Sequence, residues 1–391
     1  MARDKRKPKI CIIVAADSSL DTLFPDFYPL LLAKGYEVVG ICADGPYVEN
    51  VRRQGVRVIT VPIARAITPL HDLKCIWKLY RIFKKEKFDI IHFSTIKASY
   101  LSAIAARLAG GAALVYTIRG FHIFTGLKQF VIKCGDKVAS RSADYVIAIS
   151  KSLKDKVVNE GILPADRINV LGAGSSRGVN VEKFKLNEKT KSAAENIRKD
   201  LEIKEDDIVI GYAGRLTIEK GIVELLKAFD NIRWEYNNVH LFIIGDQDKR
   251  KPMSDDVFEW MDTDPHIHPI PWTDDIVSYM AATDIFVLPT YHDGFGNVLI
   301  EAAALEKPVI GTDVPGARDA LQDGVNGIMV KARDVASLEK ALRELIESPD
   351  KRIRMGKEGR KWVVDNFDRK MVWSRLLEVY EKLLSTKRGS K

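Results

Sequence analysis

The 391-residue sequence is poor in the features that staple, anchor or metallate a protein. Its four cysteines, Cys11, Cys42, Cys75 and Cys134, lie in the first half without a CxxC spacing. Disulfides and zinc are therefore not expected, and buried reduced thiols are. No apolar run approaches the ~20 residues of a membrane-spanning helix. The start, MARDKRKPKICIIVAA, is basic and then apolar, but the apolar part is short and Asp17 follows at once. It reads as a first β-strand rather than a signal peptide, and a cytoplasmic protein is expected. There is no repeat of solenoid period and no recognised nucleic-acid module. Gly172-Ala173-Gly174 with Gly178 imitates a dinucleotide loop, yet VNVEKFKLNEK after it lacks a helical stripe, which argues against a dehydrogenase. Asp246 and Asp248 alone make a weak magnesium site, and His266 and His268 have no third zinc ligand at a suitable spacing. A tryptophan at 272 reads as core rather than as a platform for a nucleotide base.

What is present is an ordinary globular composition, 46% apolar and 29% charged, in a chain long enough for two domains. Charge is uneven. Residues 1–180 hold 28 Lys+Arg against 15 Asp+Glu, and the remainder 33 against 38. The basic half suits anionic lipid headgroups or a lipid-linked pyrophosphate; the alternative is solvated helix faces such as Lys78, Arg81, Lys84, Lys85 and Lys87.

Short apolar strands alternate with amphipathic helices throughout. Strands are expected at Ile10–Ala15, Val38–Cys42, Val56–Val61, Ile90–Phe93, Ala113–Thr117, Tyr145–Ile149 and Ile168–Leu171. Helices are expected near Phe27–Ala33, Leu70–Lys85 and Ser99–Leu108. A polar stretch follows, and the pattern restarts with strands at Ile208–Gly211, Leu241–Ile244 and Ile285–Leu288. The alternation predicts an α/β chain of two Rossmann-like, doubly wound parallel-sheet domains facing a cleft. The expected divisions are 1–183, a linker with a surface helix at 184–205, a second domain at 206–368, and a terminal helix at 369–391 that returns to the first domain.

The densest chemistry lies in DIFVLPTYHDGFGNVLIEAAALEKPVIGTDVPGARDALQDGVNGIMV, from Asp284 to Val330. It reads as strand, acidic Gly-rich loop, helix, strand and loop. A loop that opens into a helix N-terminus offers N–H groups and a positive dipole end to an anion. Asp293 and Glu301 add acceptors suited to sugar hydroxyls. Phosphate and sugar together are what a nucleotide-sugar presents. Earlier, IVIGYAGRLTIEKG places Gly214, Arg215 and Lys220 on a loop leading to a helix. Arg grips phosphate oxygens bidentately and Lys adds a point charge.

These segments resemble the donor-binding signature of the retaining glycosyltransferases of family four, which have the GT-B fold. That signature has an acid, seven residues and then Glu, with GFG inside, and a G-R-x-x-x-x-K-G loop upstream. Asp293 stands where Glu is usual, and Glu306-Lys307 replaces the usual small residue or Gly. The segment YTIRGFHIFTG, Tyr116 to Gly126, resembles the T-x-H-G-F-H-F of bacterial capsule, exopolysaccharide and lipid-linked glycan enzymes, with Arg119 at the first His and His122 kept. The resemblance implies that Arg215 and Lys220 hold the donor diphosphate and that Glu301 bonds the ribose. It implies that Asp293, with the backbone of Gly294, Phe295, Gly296, Asn297 and Val298, orients the sugar. His122 or Arg119 takes the place of the usual catalytic His, and Lys97, with Arg119, is an acceptor-side candidate.

By the same resemblance the donor is a nucleotide diphosphate sugar, UDP-linked in most of the family, and the acceptor a polyprenyl-diphosphate-linked saccharide at the inner membrane surface. No metal or other cofactor is expected. The alternatives are a soluble acceptor, or a non-catalytic nucleotide-sugar-binding protein.

Overall fold

A computed structural model describes residues 6–64, 66, 68–120, 126–248 and 252–389. The chain divides into two compact units, Met1–Arg177 with Val372–Lys391, and Gly178–Met371.

The first unit is built on seven strands: β1 Lys9–Ile13, β2 Glu37–Cys42, β3 Arg57–Thr60, β4 Ile90–Ser94, β5 Ala113–Ile118, β6 Tyr145–Ala148 and β7 Ile168–Asn169. All pair in parallel in the order β3-β2-β1-β4-β5-β6-β7. Its helices are α1 Asp17–Thr22, α2 Phe27–Ala33, α3 Val48–Arg53, α4 Pro69–Glu86, α5 Ile96–Ala109, α6 Gly126–Ser142 and α7 Lys151–Asn159. The central strands are buried along their whole length, as β4 and β5 show, because a parallel sheet is covered on both faces.

The second unit holds β8 Ile208–Ala213, β9 Val239–Ile244, β10 Ile267–Ile270, β11 Ile285–Leu288, β12 Val309–Thr312 and β13 Gly327–Val330, parallel in the order β10-β9-β8-β11-β12-β13. Its helices are α8 Glu188–Asp200, α9 Ile222–Arg233, α10 Asp255–Thr263, α11 Ile276–Ala281, α12 Asn297–Ala304, α13 Val335–Ile346 and α14 Pro349–Phe367, and α15 Arg369–Gly389 begins here.

Residues 184–205, expected as a linker with a surface helix, hold α8 and fall within the second unit. Arg198 of α8 bonds Asp284 at 3.1 Å, and the same carboxylate oxygen accepts the Val209 N–H at 2.8 Å. Asp284 thereby ties α8 to the starts of β8 and β11. From Val372 onward α15 belongs to the first unit. Val372, Trp373, Leu376, Leu377 and Tyr380 join the same apolar core as Phe24, Phe27 and Tyr28. Trp373 packs against Phe27 at 4.8 Å between centroids, with the rings tilted by 30°, and donates its indole N–H to the Pro25 carbonyl. The Tyr380 hydroxyl lies 2.6 Å from His92 Nδ1, and Thr117 Oγ1 lies 2.7 Å from Nε2. Each buried aromatic of this kind contributes about 2 kcal/mol.

In each sheet the chain winds outward from one central strand, then returns to that strand's other side. The reversals fall between β1 and β4 and between β8 and β11. Ligands of doubly wound sheets bind beyond the strand C-termini at such reversals.

Candidate functional site

The second reversal carries the predicted donor residues. Loops beyond β8, β11 and β12 meet there at backbone contact. Gly221, at φ +75°, sits so close to the Pro289 carbonyl oxygen that an added Cβ would lie 2.0 Å from it. Gly316, at φ +91°, would place a Cβ 2.4 Å from the Asp293 carbonyl oxygen. Only glycine permits both the conformation and the approach. The side chains follow the same scheme, since Thr312 Oγ1 donates to the Thr290 carbonyl at 2.5 Å and the Tyr291 N–H to the Glu219 carbonyl at 2.9 Å.

Two cation–carboxylate pairs stand at this point. The Lys220 ammonium donates to Asp293 Oδ2 at 2.5 Å, with both side chains largely shielded. The other Asp293 oxygen accepts the N–H groups of Gly294, Phe295 and Gly296 at 2.7, 3.3 and 3.2 Å. Burial alone would raise this carboxyl; the Lys220 charge and the loop N–H groups instead hold it below the usual carboxylate range. Arg215, 61% exposed, donates to Asp248 Oδ2 at 2.5 Å, and that carboxylate is buried. Gly214 precedes it, and the Arg215 carbonyl accepts the Tyr212 hydroxyl.

Asp293 therefore organises the loop that precedes α12, occupying N–H groups of Phe295 and Gly296 that the family resemblance assigns to the sugar. Asn297 opens α12, with a shielded amide oxygen that accepts no hydrogen bond among the described residues. Val298 is half-buried beside it, and Glu301 lies buried one turn on. Arg215, Lys220, Asp293, Gly294, Phe295, Gly296, Asn297, Val298 and Glu301 are thus all set around one sheet reversal in one unit.

The residues expected on the acceptor side lie in the first unit. Arg119, just past β5, is half-buried. It donates to the Ser176 carbonyl and hydroxyl, both at 2.8 Å, reaches Ser94 Oγ at 3.3 Å, and stacks 4.8 Å from the Phe24 ring centroid. Burial pulls its guanidinium down to about 10, against the opposing pull of Tyr28 and Tyr380, and it stays charged at neutral pH. Among the described residues no carboxylate pairs with it. Lys97 is not a surface lysine. Its side chain is buried, pairs with Asp72 at 2.6 Å, and donates to the Ala66 carbonyl and Thr68 Oγ1, so it pins the loop before α4. His122 lies outside the described residues.

Two other sequence readings change. Asp248, set aside as half of a weak metal pair, is the partner of Arg215. The signal was positional: it follows β9, which is paired with β8. Trp272 is not in the core but 64% exposed, and its backbone N–H donates to Asp246 at 3.1 Å beyond β9 and β10. His266 and His268, read as lacking a third zinc ligand, pack beside a further histidine. His240 Nδ1 lies 3.1 Å from His268 Nε2, and its ring centroid is 4.8 Å from that of His266. Burial and the neighbouring rings depress His240, and they depress His268 to about 4. Among the described residues no group of three His, Cys, Asp or Glu is arranged to hold a metal ion.

Residues 27–175 match the family described as Glycosyltransferase Family 4, and residues 193–362 that described as Glycosyl transferases group 1. The chain is 34% identical to the capsular polysaccharide biosynthesis glycosyltransferase CapM of Staphylococcus aureus, covering 92% of this chain and 93% of that one. It is 26% identical to the UDP-Gal:alpha-D-GlcNAc-diphosphoundecaprenol alpha-1,3-galactosyltransferase of Escherichia coli, over 87% and 88% of the two chains. Among solved structures, Anabaena Alr3699/HepE in complex with UDP superposes with a TM-score of 0.78 at 20% identity, over 96% of this chain and all of that one. A glycosyltransferase from Rickettsia africae ESF-5 superposes with a TM-score of 0.82 at 20% identity, over 97% and 99%. These two likenesses concern the fold.

Proposed function

The chain belongs to the GT-B glycosyltransferases of group 1 and family 4, and we propose that it moves a hexose or N-acetylhexosamine from a UDP-sugar to a polyprenyl-diphosphate-linked saccharide, with retention of configuration. The observation that carries the donor side is the pairing of Arg215 and Lys220 with carboxylates at the second sheet reversal. Two cations held 2.5 Å from carboxylate oxygens are already in place to hold phosphate oxygens instead.

The acceptor hydroxyl attacks the anomeric carbon from the face of the departing diphosphate. The bond from that carbon to the phosphate oxygen breaks, the bond to the acceptor oxygen forms, and the hydroxyl proton passes to the departing phosphate oxygen. Arg215 and Lys220 stabilise the charge that builds there. Asn297 Oδ1 accepts a donor hydroxyl, and Glu301 bonds the ribose. Asp293 holds the loop and the Lys220 ammonium in position. These cations supply the charge neutralisation that transfer needs, and the reaction is expected to persist in excess EDTA.

The acceptor class is supported by the relatives. The Escherichia coli protein's name, and that of a Campylobacter jejuni relative 26% identical, specify diphospho-undecaprenol substrates. The surplus of Lys and Arg in residues 1–180 fits work at the inner face of a membrane. Among the described residues no helix is long and apolar enough to cross one, so attachment would be peripheral.

The test is a panel of nucleotide-sugars incubated with detergent-dispersed membrane lipid extract, read by nucleotide release and product mass. A UDP-sugar is expected to label the lipid fraction. Labelling of a soluble acceptor alone would remove the lipid-linked reading.

A further inference from the structure

We propose that the outward face of α4 seats the first unit on an anionic lipid surface; this deepens the membrane-acceptor reading above and rests on it. The helix runs for 18 residues and turns Asp72, Cys75, Leu79 and Phe83 inward, at spacings of three and four. The opposite face is not the usual polar one. Leu70, Leu73 and Trp77 are 80%, 63% and 59% exposed. Single exposed apolar residues are common on soluble proteins, but three along one helical stripe need a partner.

Charge identifies that partner. Lys74, Lys78, Arg81, Lys84 and Lys85 are exposed on the same helix. Both of its acids are turned away: Asp72 pairs with buried Lys97 at 2.6 Å, and Glu86 pairs with Lys9 at 2.6 Å and Arg57 at 2.5 Å. The outward face thus presents cations with no carboxylate of the helix among them. Arg81 lies over the Trp77 ring at 4.7 Å, and Lys78 donates to the Thr60 carbonyl at 3.0 Å. A tryptophan and two leucines flanked by long cationic side chains match an interface where acyl chains meet phosphate headgroups. Indole suits that boundary because one edge is apolar and the other donates a hydrogen bond.

The full chain is tested by co-sedimentation with vesicles of phosphatidylcholine alone and of equimolar phosphatidylcholine and phosphatidylglycerol. Wild type should bind the anionic vesicles preferentially and be released by salt. Two variants, Leu73→Glu/Trp77→Glu and Lys74→Gln/Lys78→Gln/Arg81→Gln, should each lower the partition coefficient by at least ~10-fold. Unchanged thermal midpoints would confirm that these exposed changes leave the fold intact.

Binding by either variant at the wild-type level, or no preference for anionic vesicles, overturns the proposal for α4. A lipid-free dimer that either variant dissolves also overturns it, in favour of a second copy on this face. Transfer to detergent-dispersed acceptor separates the two readings. If wild type transfers sugar there but ignores vesicles, the α4 proposal fails and the function stands. If wild type labels no lipid acceptor, the function fails whatever the vesicles show.

Discussion

Replacing Lys220 by Ala separates a phosphate-binding lysine from one that merely holds a loop. Among the described residues Lys220 makes one charge-assisted hydrogen bond, 2.5 Å long, to Asp293, and the two side chains are 17% and 22% exposed. A hydrogen bond to a charged group is worth about 1.5–3 kcal/mol. The stability loss should lie at the low end, about 1–2 kcal/mol, because Asp293 keeps the N–H groups of Gly294, Phe295 and Gly296. In the proposed transition state the same ammonium faces the departing phosphate beside Arg215, and alanine offers nothing in its place. The full interaction is then lost, and kcat/KM should fall by about 10- to 100-fold with the fold intact. Acid provides a control. The folded state lowers the Asp293 carboxyl, so the pair's contribution is complete above the ordinary Asp range and is lost as pH falls through the depressed folded value. The stability gap between wild type and Lys220→Ala should therefore close on acidification. Denaturant unfolding across pH and steady-state nucleotide release are the two assays. A kcat/KM within ~2-fold of wild type, in a folded variant, would take Lys220 out of the donor site.

Asp248→Asn should tighten UDP binding, because an ion pair whose arginine is 61% exposed is worth at most about 1 kcal/mol and its release frees Arg215 for phosphate. Calorimetric titration should show up to ~5-fold gain in affinity, and a loss would refute the idea that Asp248 competes with the ligand. Gly316→Ala forces a Cβ against the Asp293 and Gly294 backbone at a positive φ; chemical unfolding should report a loss of about 2 kcal/mol or more, together with weaker nucleotide binding. A neutral result would mean that the two loops are not in contact. Stability should also fall as pH drops below about 6.5 toward 4, since His268 titrates near 6.5 when unfolded and near 4 when folded, and the unfolded chain takes the proton first. His268→Gln should flatten that part of the profile by about 1 kcal/mol, the figure being reduced for partial exposure, and an unchanged profile would exonerate the histidine cluster.

The grouping of residues at the second sheet reversal was legible because the motifs that carry them are local in sequence. Ile208 to Gly221 and Asp284 to Pro308 each span one strand and the loop that leads from it to a helix, so the spacing together with the family resemblance brought the side chains to one place. The α/β alternation was legible for the same reason. What escaped was pairing across long separations. Lys97 reads as an acceptor-side candidate, and nothing in the sequence shows that Asp72 comes to lie 2.6 Å away on another helix. The three histidines group only once β9 and β10 are in register. Trp272 looks like a core residue by type, and its exposure follows from a loop position that no periodicity marks. Glu301 was read from its spacing after Asp293, yet its burial on α12 is a tertiary fact.

The division of the first unit between the two ends of the chain bears on how the protein is made. Trp373 and Tyr380 emerge from the ribosome after the whole of Gly178–Met371, yet they fill the core beside Phe24, Phe27 and His92. The second unit is contiguous and can fold as soon as it is synthesised, whereas the first must wait with an open apolar flank. During that interval the nascent first unit is the aggregation-prone species and the natural client of a chaperone. A chain interrupted just before Val372 would release a complete second unit attached to a first unit whose core lacks Trp373 and Tyr380.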